Sequence, residues 1–275
     1  MLANGMVEAG SRFDLRAGRS PDAPDEAVFD ATENTFGWVH SYETGSTVDG
    51  PGVRVMLFMS GCLLRCQYCH NPDTWHLKDG TKIELAHAIR RLADFAPALR
   101  AMGGGLTISG GEPLIQIGFT GGLFAAAKRM GLHTALDTSG FLGVRADDDY
   151  LRHVDLVLLD IKSGDPGTYR KITGAELEPT LRFAERLNAM GKAVWVRYVL
   201  VPGLTDDPEN IREVAAFVAP MANVEWVEVL PFHQMGEFKW KSLGLEYRLA
   251  NTEPPTPQKV QEALGIFREA GSRAR

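Results

Sequence analysis

Short apolar runs alternate with amphipathic segments along most of the chain, and this alternation predicts a repeated strand–helix fold. Buried strands are predicted at residues 53–59, 106–109, 133–137, 156–161, 193–200 and 224–230. The segments between them carry apolar residues at helical spacing, which predicts helices at 84–101, 119–130, 179–190, 208–219 and 256–270. Residues 164–174 have the composition of a loop, so the crossover after the fourth strand is the least clear.

Repeated strand–helix units predict a parallel sheet with right-handed crossovers. Such a sheet is either doubly wound or curled into a barrel. Polar residues follow most of the predicted strands, and in a barrel the carboxyl ends of all strands meet on one face. The sequence therefore predicts an α/β fold in the form of a partial, TIM-like (β/α)6 barrel.

The N-terminal segment differs in composition from the rest of the chain. Gly, Ala, Ser, Pro and Asp dominate it, and residues 20–26 carry the clearest loop signal. We predict that residues 1–35 form a poorly ordered leader and that residues 36–275 form one domain.

Composition limits the classes of function. The chain has 275 residues, of which 44% are hydrophobic, which is enough for a sizeable core. Its net charge of -6 argues against a nucleic-acid partner. No run approaches the roughly 18 apolar residues of a membrane span, and the N-terminus lacks the apolar core of a secretory signal. We expect a cytoplasmic protein that does not bind a membrane.

The three cysteines of the chain, Cys62, Cys66 and Cys69, lie within eight residues. A cluster of this kind predicts a metal site rather than a disulfide network. Thiolates favour zinc or an iron–sulfur cluster. Zinc could take His70 as a fourth ligand, although the chain lacks the distant second pair of ligands that zinc modules usually have. The other interpretation is a [4Fe–4S] cluster with one iron free of cysteine.

Other candidate residues follow the second and fourth predicted strands. Gly110 and Gly111 would let a ligand approach the backbone closely. A plain turn is the better explanation of a Gly-Gly pair alone, but the position of this pair after the second strand of a protein with a cysteine loop favours the ligand. Asp160 and Lys162 stand at alternating positions, so both side chains can face the barrel mouth. A surface salt bridge between them is the alternative.

The cysteine spacing, with an aromatic residue before the third cysteine, resembles the signature of the radical S-adenosylmethionine superfamily. Gly-Gly-Glu-Pro at 110–113 is similar to the second motif of that superfamily. The similarity extends from about Trp38 to the C-terminus and narrows to the family of pyruvate formate-lyase-activating enzymes. The segments that resemble this family are TVDGPGVR (47–54), YCHNPDTW (68–75), LDTSGF (136–141), WVRYVLVPG (195–203) and LPFH (230–233).

The resemblance implies a [4Fe–4S] cluster on the three cysteines, which act in catalysis, with S-adenosylmethionine chelating the free iron. Reductive cleavage would give a 5′-deoxyadenosyl radical that takes a hydrogen from a glycine of pyruvate formate-lyase. Difficult chemistry would then belong to the cofactors, while the protein orients them and excludes water. The residues that the resemblance assigns to cofactor binding are Tyr68, His70, Gly110, Gly111, Glu112, Asp160, Lys162 and His233.

Two further sets of residues follow from the same resemblance. Asp137 and Thr138 would hold a monovalent cation beside the cofactor, for which their oxygen atoms are suitable ligands. Asp49, Arg54 and Arg197 would help to receive the glycine loop of the target. Arg54 and Arg197 could instead be internal ion-pair partners.

The resemblance also implies flavodoxin or ferredoxin as the reductant, and a monomer is the default state. The nearest alternative is an activase of another glycyl-radical enzyme, but many of those look like this chain with an added ferredoxin-type domain and further cysteines. A radical enzyme that acts on a small molecule is a weaker alternative. A non-catalytic zinc or electron-transfer module would explain the cysteines but not the later motifs.

Overall fold

The structure is a computed structural model and describes residues 35–275. The predicted leader, residues 1–35, lies outside the described residues except for Thr35. The strands of the described chain are β1 (Phe36–Ser46), β2 (Arg54–Met59), β3 (Thr81–Glu84), β4 (Gly105–Gly110), β5 (His133–Thr138), β6 (Leu156–Asp160), β7 (Ala193–Leu200) and β8 (Val224–Pro231). The helices are α1 (Leu85–Ala101), α2 (Ile117–Arg129), α3 (Asp148–Leu151), α4 (Pro166–Thr173), α5 (Glu178–Ala189), α6 (Pro208–Val218), α7 (Glu237–Ser242) and α8 (Pro257–Glu269).

The strands form one sheet in the order β3-β1-β2-β4-β5-β6-β7-β8. Strands β2 and β4 to β8 run parallel, in the order in which they occur in the chain. The described sheet has β3 at one edge and β8 at the other and does not close on itself. The prediction of a partial barrel with six parallel strands is therefore confirmed.

Strands β1 and β3 were not predicted from the sequence. Strand β1 pairs antiparallel with β2, and β3 pairs antiparallel with β1, so the two strands extend the sheet at one edge. Strand β1 is only partly buried and reads FGWVHSYETGS, while β3 has four residues, three of them exposed. Edge strands of this kind lack the continuous apolar run by which buried parallel strands are recognised.

The segment at 164–174, which has the composition of a loop, contains helix α4. The Asp165 side chain accepts a hydrogen bond from the Thr168 N–H, Pro166 occupies the first turn, and Gly174 ends the helix with a φ of 75°. These are ordinary helix start and stop signals. The loop-like composition of this segment therefore comes from the caps of a short helix.

The two faces of the sheet have different roles. The main core lies between one face and the flanking helices, and it includes residues such as Leu92, Phe124 and Phe267. On the other face, a smaller apolar cluster of Ala135, Leu156, Leu158 and Trp195 fills the amino half of the barrel. Side chains alternate along a strand, so the next positions on this face lie at the carboxyl ends of β5, β6 and β7. They are the polar residues Asp137, Asp160 and Arg197.

None of the helices within residues 35–275 is long and apolar enough to cross a membrane.

Candidate active site

The carboxyl ends of the parallel strands surround a cavity of about 340 Å³. Every site residue predicted from the sequence lines this cavity except Gly110, Glu112 and Arg54. The topology thus brings together residues that are up to 184 positions apart in the sequence, from Asp49 to His233. This is the face on which barrel enzymes place their chemistry.

The cysteines lie in the loop that follows β2, and the backbone of this loop is held by its neighbours. The Gly61 N–H donates to the Thr74 carbonyl at 2.7 Å, and the Arg65 N–H donates to the Thr173 carbonyl at 2.8 Å. Thr173 is the last residue of α4, so that helix supports the loop from outside. The Trp240 indole Nε1 donates to the Cys69 carbonyl at 2.9 Å.

The three thiols face one cavity and are suited to a bound cluster. Burial raises the pKa of Cys62 and of Cys69 to about 12, and it also raises the pKa of Cys66. Without a positively charged centre the thiols would therefore stay protonated, whereas bound metal holds coordinating thiols as thiolates. Three soft donors in one cavity fit a [4Fe–4S] cluster.

Within residues 35–275, no three His, Cys, Asp or Glu side chains are grouped around a point where a single metal ion could bind. A four-iron cluster does not require such a point, because each cysteine binds a different iron. The grouping of the donors is thus compatible with a cluster.

The Gly-Gly pair joins β4 to the cysteine loop. A Cβ on Gly111 would overlap the Gly61 carbonyl oxygen, and a Cβ on Gly110 would overlap the backbone of Met59. Gly110 also has a φ of 113°, a conformation that favours glycine. Gly111 also lines the cavity. The close contact with the backbone of Met59 and Gly61 is sufficient to require glycine at both positions.

Glu112 lies beneath the cavity and is only 2% exposed. Its carboxylate accepts hydrogen bonds from the Ser139 N–H (3.1 Å), the Ser139 hydroxyl (2.5 Å) and the Thr138 hydroxyl (2.7 Å). Burial raises the pKa of Glu112. The sequence assigned Glu112 to cofactor binding, whereas these contacts show a group that fixes the turn after β5.

Asp160 and Lys162 form an ion pair at the mouth of the barrel. Lys162 Nζ lies 2.8 Å from Asp160 Oδ2, and the Lys162 side chain is 10% exposed, so this is not a surface salt bridge. Burial alone would lower the pKa of Lys162, but Asp160 and Cys66 outweigh it and hold the pKa well above its usual value. Lys162 Nζ also lies 5.7 Å from the centre of the Tyr68 ring.

His70 and His233 meet across the cavity. Their rings are nearly perpendicular, with centroids 5.0 Å apart. Burial lowers the pKa of His70, and the neighbouring His233 lowers it further. The two histidines join the cysteine loop to the segment that follows β8.

Arg197 is the hub of a buried charge network. Its guanidinium lies 3.0 Å from Asp49, 3.4 Å from Asp137 and 3.2 Å from Glu228. Burial would lower the pKa of Arg197, but Asp137, Asp49 and Glu228 outweigh it, so the pKa is raised. Burial raises the pKa of Asp137 to about 6, against the opposing effect of Arg197. Arg197 is thus an internal ion-pair partner that also lines the cavity, and its contact with the glycine loop of the target stays a prediction.

Two residues of the charge network around Arg197 and Asp137 are not predicted from the sequence. Ser109 donates a 2.6 Å hydrogen bond to Asp137, and Glu228 pairs with Arg197. A signal exists for Glu228, because a carboxylate inside an apolar strand must have a buried partner. Ser109 carries no comparable signal.

Arg54 lies inside the fold and outside the cavity lining. Its side chain is fully buried and donates to the Thr107 hydroxyl (3.0 Å) and to the Leu106 carbonyl (2.6 Å). It also contacts His133 Nδ1 at 3.2 Å. These contacts favour the internal alternative for Arg54 and give no support to a contact with the target.

Asp137 and Thr138, the predicted cation ligands, both line the cavity. The Thr138 hydroxyl donates to Glu112, and the Asp137 carboxylate faces Ser109 and Arg197. The cation site stays a prediction.

The sequence of the chain is similar to known proteins over most of its length. The family model of the radical SAM superfamily matches residues 56–215. The pyruvate formate-lyase-activating enzyme of Staphylococcus epidermidis is 44% identical over 236 residues, which cover 82% of this chain and 93% of that protein. The enzyme of the same name from Staphylococcus aureus strain USA300 is 43% identical over 234 residues, with the same two coverages of 82% and 93%.

Solved structures agree on the fold. A domain of a pyruvate-formate lyase-activating enzyme from Bacteroides vulgatus has a TM-score of 0.53 at 24% identity and covers 62% of this chain and 98% of its own. A radical SAM methyltransferase from Sphaerobacter thermophilus has a TM-score of 0.60 at 16% identity and covers 90% of this chain and 74% of its own. The sequence matches carry the family assignment: the chain belongs to the radical SAM superfamily and, within it, to the family of pyruvate formate-lyase-activating enzymes.

Proposed function

We propose that this chain activates pyruvate formate-lyase with a [4Fe–4S] cluster, held by Cys62, Cys66 and Cys69, and S-adenosylmethionine. When bound and reduced, these cofactors supply cleavage of the sulfonium carbon–sulfur bond and a 5′-deoxyadenosyl radical, which takes a hydrogen atom from a glycine of the target. The observation that carries the proposal is the three-cysteine loop opening into a cavity at the carboxyl ends of the barrel strands. The 44% identity to the pyruvate formate-lyase-activating enzyme of Staphylococcus epidermidis supports the same function.

The charge of the cavity supports S-adenosylmethionine as the ligand. Asp49, Asp137 and Asp160 line the cavity together with two basic side chains, Lys162 and Arg197. S-adenosylmethionine carries a sulfonium and an ammonium group against a single carboxylate. A cavity with more carboxylates than basic side chains favours such a cation. The cavity volume of about 340 Å³ lies in the range of small-molecule sites.

The walls of the cavity suggest how the cofactor is oriented. We propose that Asp160 accepts hydrogen bonds from it and that Lys162, held in place by Asp160, meets its carboxylate. Tyr68, His70 and His233 would line its adenosine. Gly111 would present backbone groups to its amino end. These side chains position the ligand and exclude water around it.

Further parts of the proposal concern the target and the partners. Asp49 and Arg197 would receive the glycine loop, since their 3.0 Å ion pair lies in the cavity lining. Asp137 and Thr138 would hold a monovalent cation. We also propose that the chain acts as a monomer, takes its electron from flavodoxin or ferredoxin, and works in the cytoplasm, where thiols stay reduced.

The proposal is tested by anaerobic reconstitution with iron and sulfide. We expect about four irons per chain, release of 5′-deoxyadenosine on reduction with S-adenosylmethionine, and a glycyl radical on pyruvate formate-lyase. If the cofactor is cleaved but the radical appears only on a different glycyl-radical enzyme, that enzyme is the target. A chain that binds zinc alone and cleaves no cofactor would overturn the proposal.

A further inference from the structure

A second cavity, of about 350 Å³, lies on the other side of the cysteine loop. We call it the basic groove and define it by Arg65, Trp75, Arg170, Lys171, Trp240 and Arg248. Its walls come from the cysteine loop, from the end of α4, and from α7 with the segment that follows it. None of the site residues predicted from the sequence lines it.

The basic groove carries a concentration of positive charge on a protein whose net charge is -6. Four of its lining residues are basic and one, Glu246, is acidic. Arg170 pairs with Glu176, whereas Arg65, Lys171 and Arg248 have no carboxylate within ion-pair distance among residues 35–275. All four basic side chains belong to exposed residues. Such a patch attracts an acidic partner and accelerates its association.

The groove is also connected to a predicted cluster ligand. Trp75 lines both the basic groove and the catalytic cavity. The Trp240 indole donates to the Cys69 carbonyl at 2.9 Å. The two indole rings are in perpendicular contact, with centroids 5.1 Å apart. These two side chains therefore connect the wall of the groove to the segment that carries Cys69.

The proposed reaction sets a requirement that this surface meets. Each cleavage of the sulfonium bond consumes one electron, which must come from outside the chain. The catalytic cavity has to hold S-adenosylmethionine and admit the glycine loop, so a donor protein needs a different approach to the cluster.

We propose that the basic groove is the docking surface for an acidic, one-electron carrier protein. The carrier's reduced cofactor loses one electron, the cluster gains it, and no atom or proton is transferred. Trp75 and Trp240 lie between the two and stay unmodified. The proposal rests on the proposed function, because it presumes a cluster on Cys69.

The test is a double charge reversal, Lys171→Glu with Arg248→Glu, in the reconstituted holoenzyme. The probe is reduced flavodoxin, an acidic carrier. We expect the second-order rate of cluster reduction to fall about tenfold or more at low salt, with a matching loss of affinity in calorimetric titration. The difference should shrink as salt increases, because salt screens exposed charges. The matched control is Arg182→Glu with Arg212→Glu, two exposed arginines on α5 and α6, which should behave like the unaltered chain apart from a small effect of net charge.

A second arm separates docking from catalysis. In light, 5-deazariboflavin, a small uncharged photocatalyst, passes single electrons from a sacrificial amine to the cluster. It should reduce the cluster equally in all three proteins and support the same yield of glycyl radical. Equal rates with flavodoxin in the groove variant and in the control would overturn the proposal. So would a loss of radical yield with the small reductant, since the groove would then bind the target enzyme. If the unaltered chain cleaves no S-adenosylmethionine with either reductant, the proposed function fails, and the calorimetric titration alone decides docking.

Discussion

Gly111 packs directly against Gly61, at the point where the end of β4 meets the start of the cysteine loop. A Cβ on Gly111 would overlap the Gly61 carbonyl oxygen. The same carbonyl accepts a 2.7 Å hydrogen bond from the Glu112 N–H. The Gly-Gly-Glu-Pro segment therefore holds the start of the cysteine loop in place by close packing and by a hydrogen bond.

The first prediction is that Gly111→Ala displaces the cysteine loop. Overpacking of this kind costs about 1–3 kcal/mol of stability. We expect the protein to fold but to retain less iron after reconstitution, measured by metal analysis and cluster absorbance. Gly118→Ala in α2, where an added Cβ meets nothing within 4 Å, is the matched control and should retain iron normally. Full iron content in Gly111→Ala would show that the loop tolerates the shift.

The second prediction concerns Glu112. Glu112→Ala removes the acceptor for Ser139 and Thr138 in a buried site, and we expect the free energy of unfolding to fall by about 2–4 kcal/mol. Ser139→Ala removes one donor and should cost less. Denaturant unfolding measures both. If Glu112→Ala instead weakened S-adenosylmethionine binding with stability unchanged, Glu112 would contact the cofactor directly.

The sequence was sufficient to predict the repeated strand–helix units of this fold. Apolar runs located the six parallel strands, and Asp137 and Asp160 line one cavity because strand ends converge in a barrel. Periodicity could not find β1 and β3, which are partly exposed edge strands. It also could not distinguish Gly111, which lines the cavity, from its neighbour Glu112, which lies beneath it. Whether a residue here faces the cavity or lies beneath it depends on the direction that the chain takes after β4.

The third prediction follows from the buried network around Arg197. Arg197→Gln leaves Asp49 and Asp137 without their shared cation, while Glu228 keeps Arg275 at 2.8 Å. Breaking a buried pair costs about 3–5 kcal/mol. Arg197 opposes the effect of burial on Asp137, so without the cation the folded-state pKa of Asp137 rises further and protonation favours the folded variant. The loss of stability relative to the unaltered chain should therefore be smaller at pH 5 than at pH 8. Arg212→Gln, at an exposed pair, should cost about 0–1 kcal/mol at both values. A loss independent of pH would contradict this account.

The fourth prediction concerns His133, whose pKa burial and the neighbouring Arg54 lower to about 4. The unfolded chain protonates this histidine near pH 6.5 while the folded chain does not. Its contribution to stability is therefore complete above pH 6.5 and is lost as pH falls towards 4. After allowance for solvent screening the loss is roughly 1–2 kcal/mol. Unfolding of the apoprotein across this range, compared with His133→Gln, measures it, and identical pH profiles would refute it.

The most direct test of the account is electron paramagnetic resonance of pyruvate formate-lyase incubated anaerobically with the reconstituted chain, S-adenosylmethionine and a reductant. The account predicts a glycyl radical on the lyase, with 5′-deoxyadenosine formed alongside it, and neither product with Cys66→Ala. Cofactor cleavage that survives Cys66→Ala, or cleavage by the unaltered chain that leaves the lyase without a radical, would contradict it.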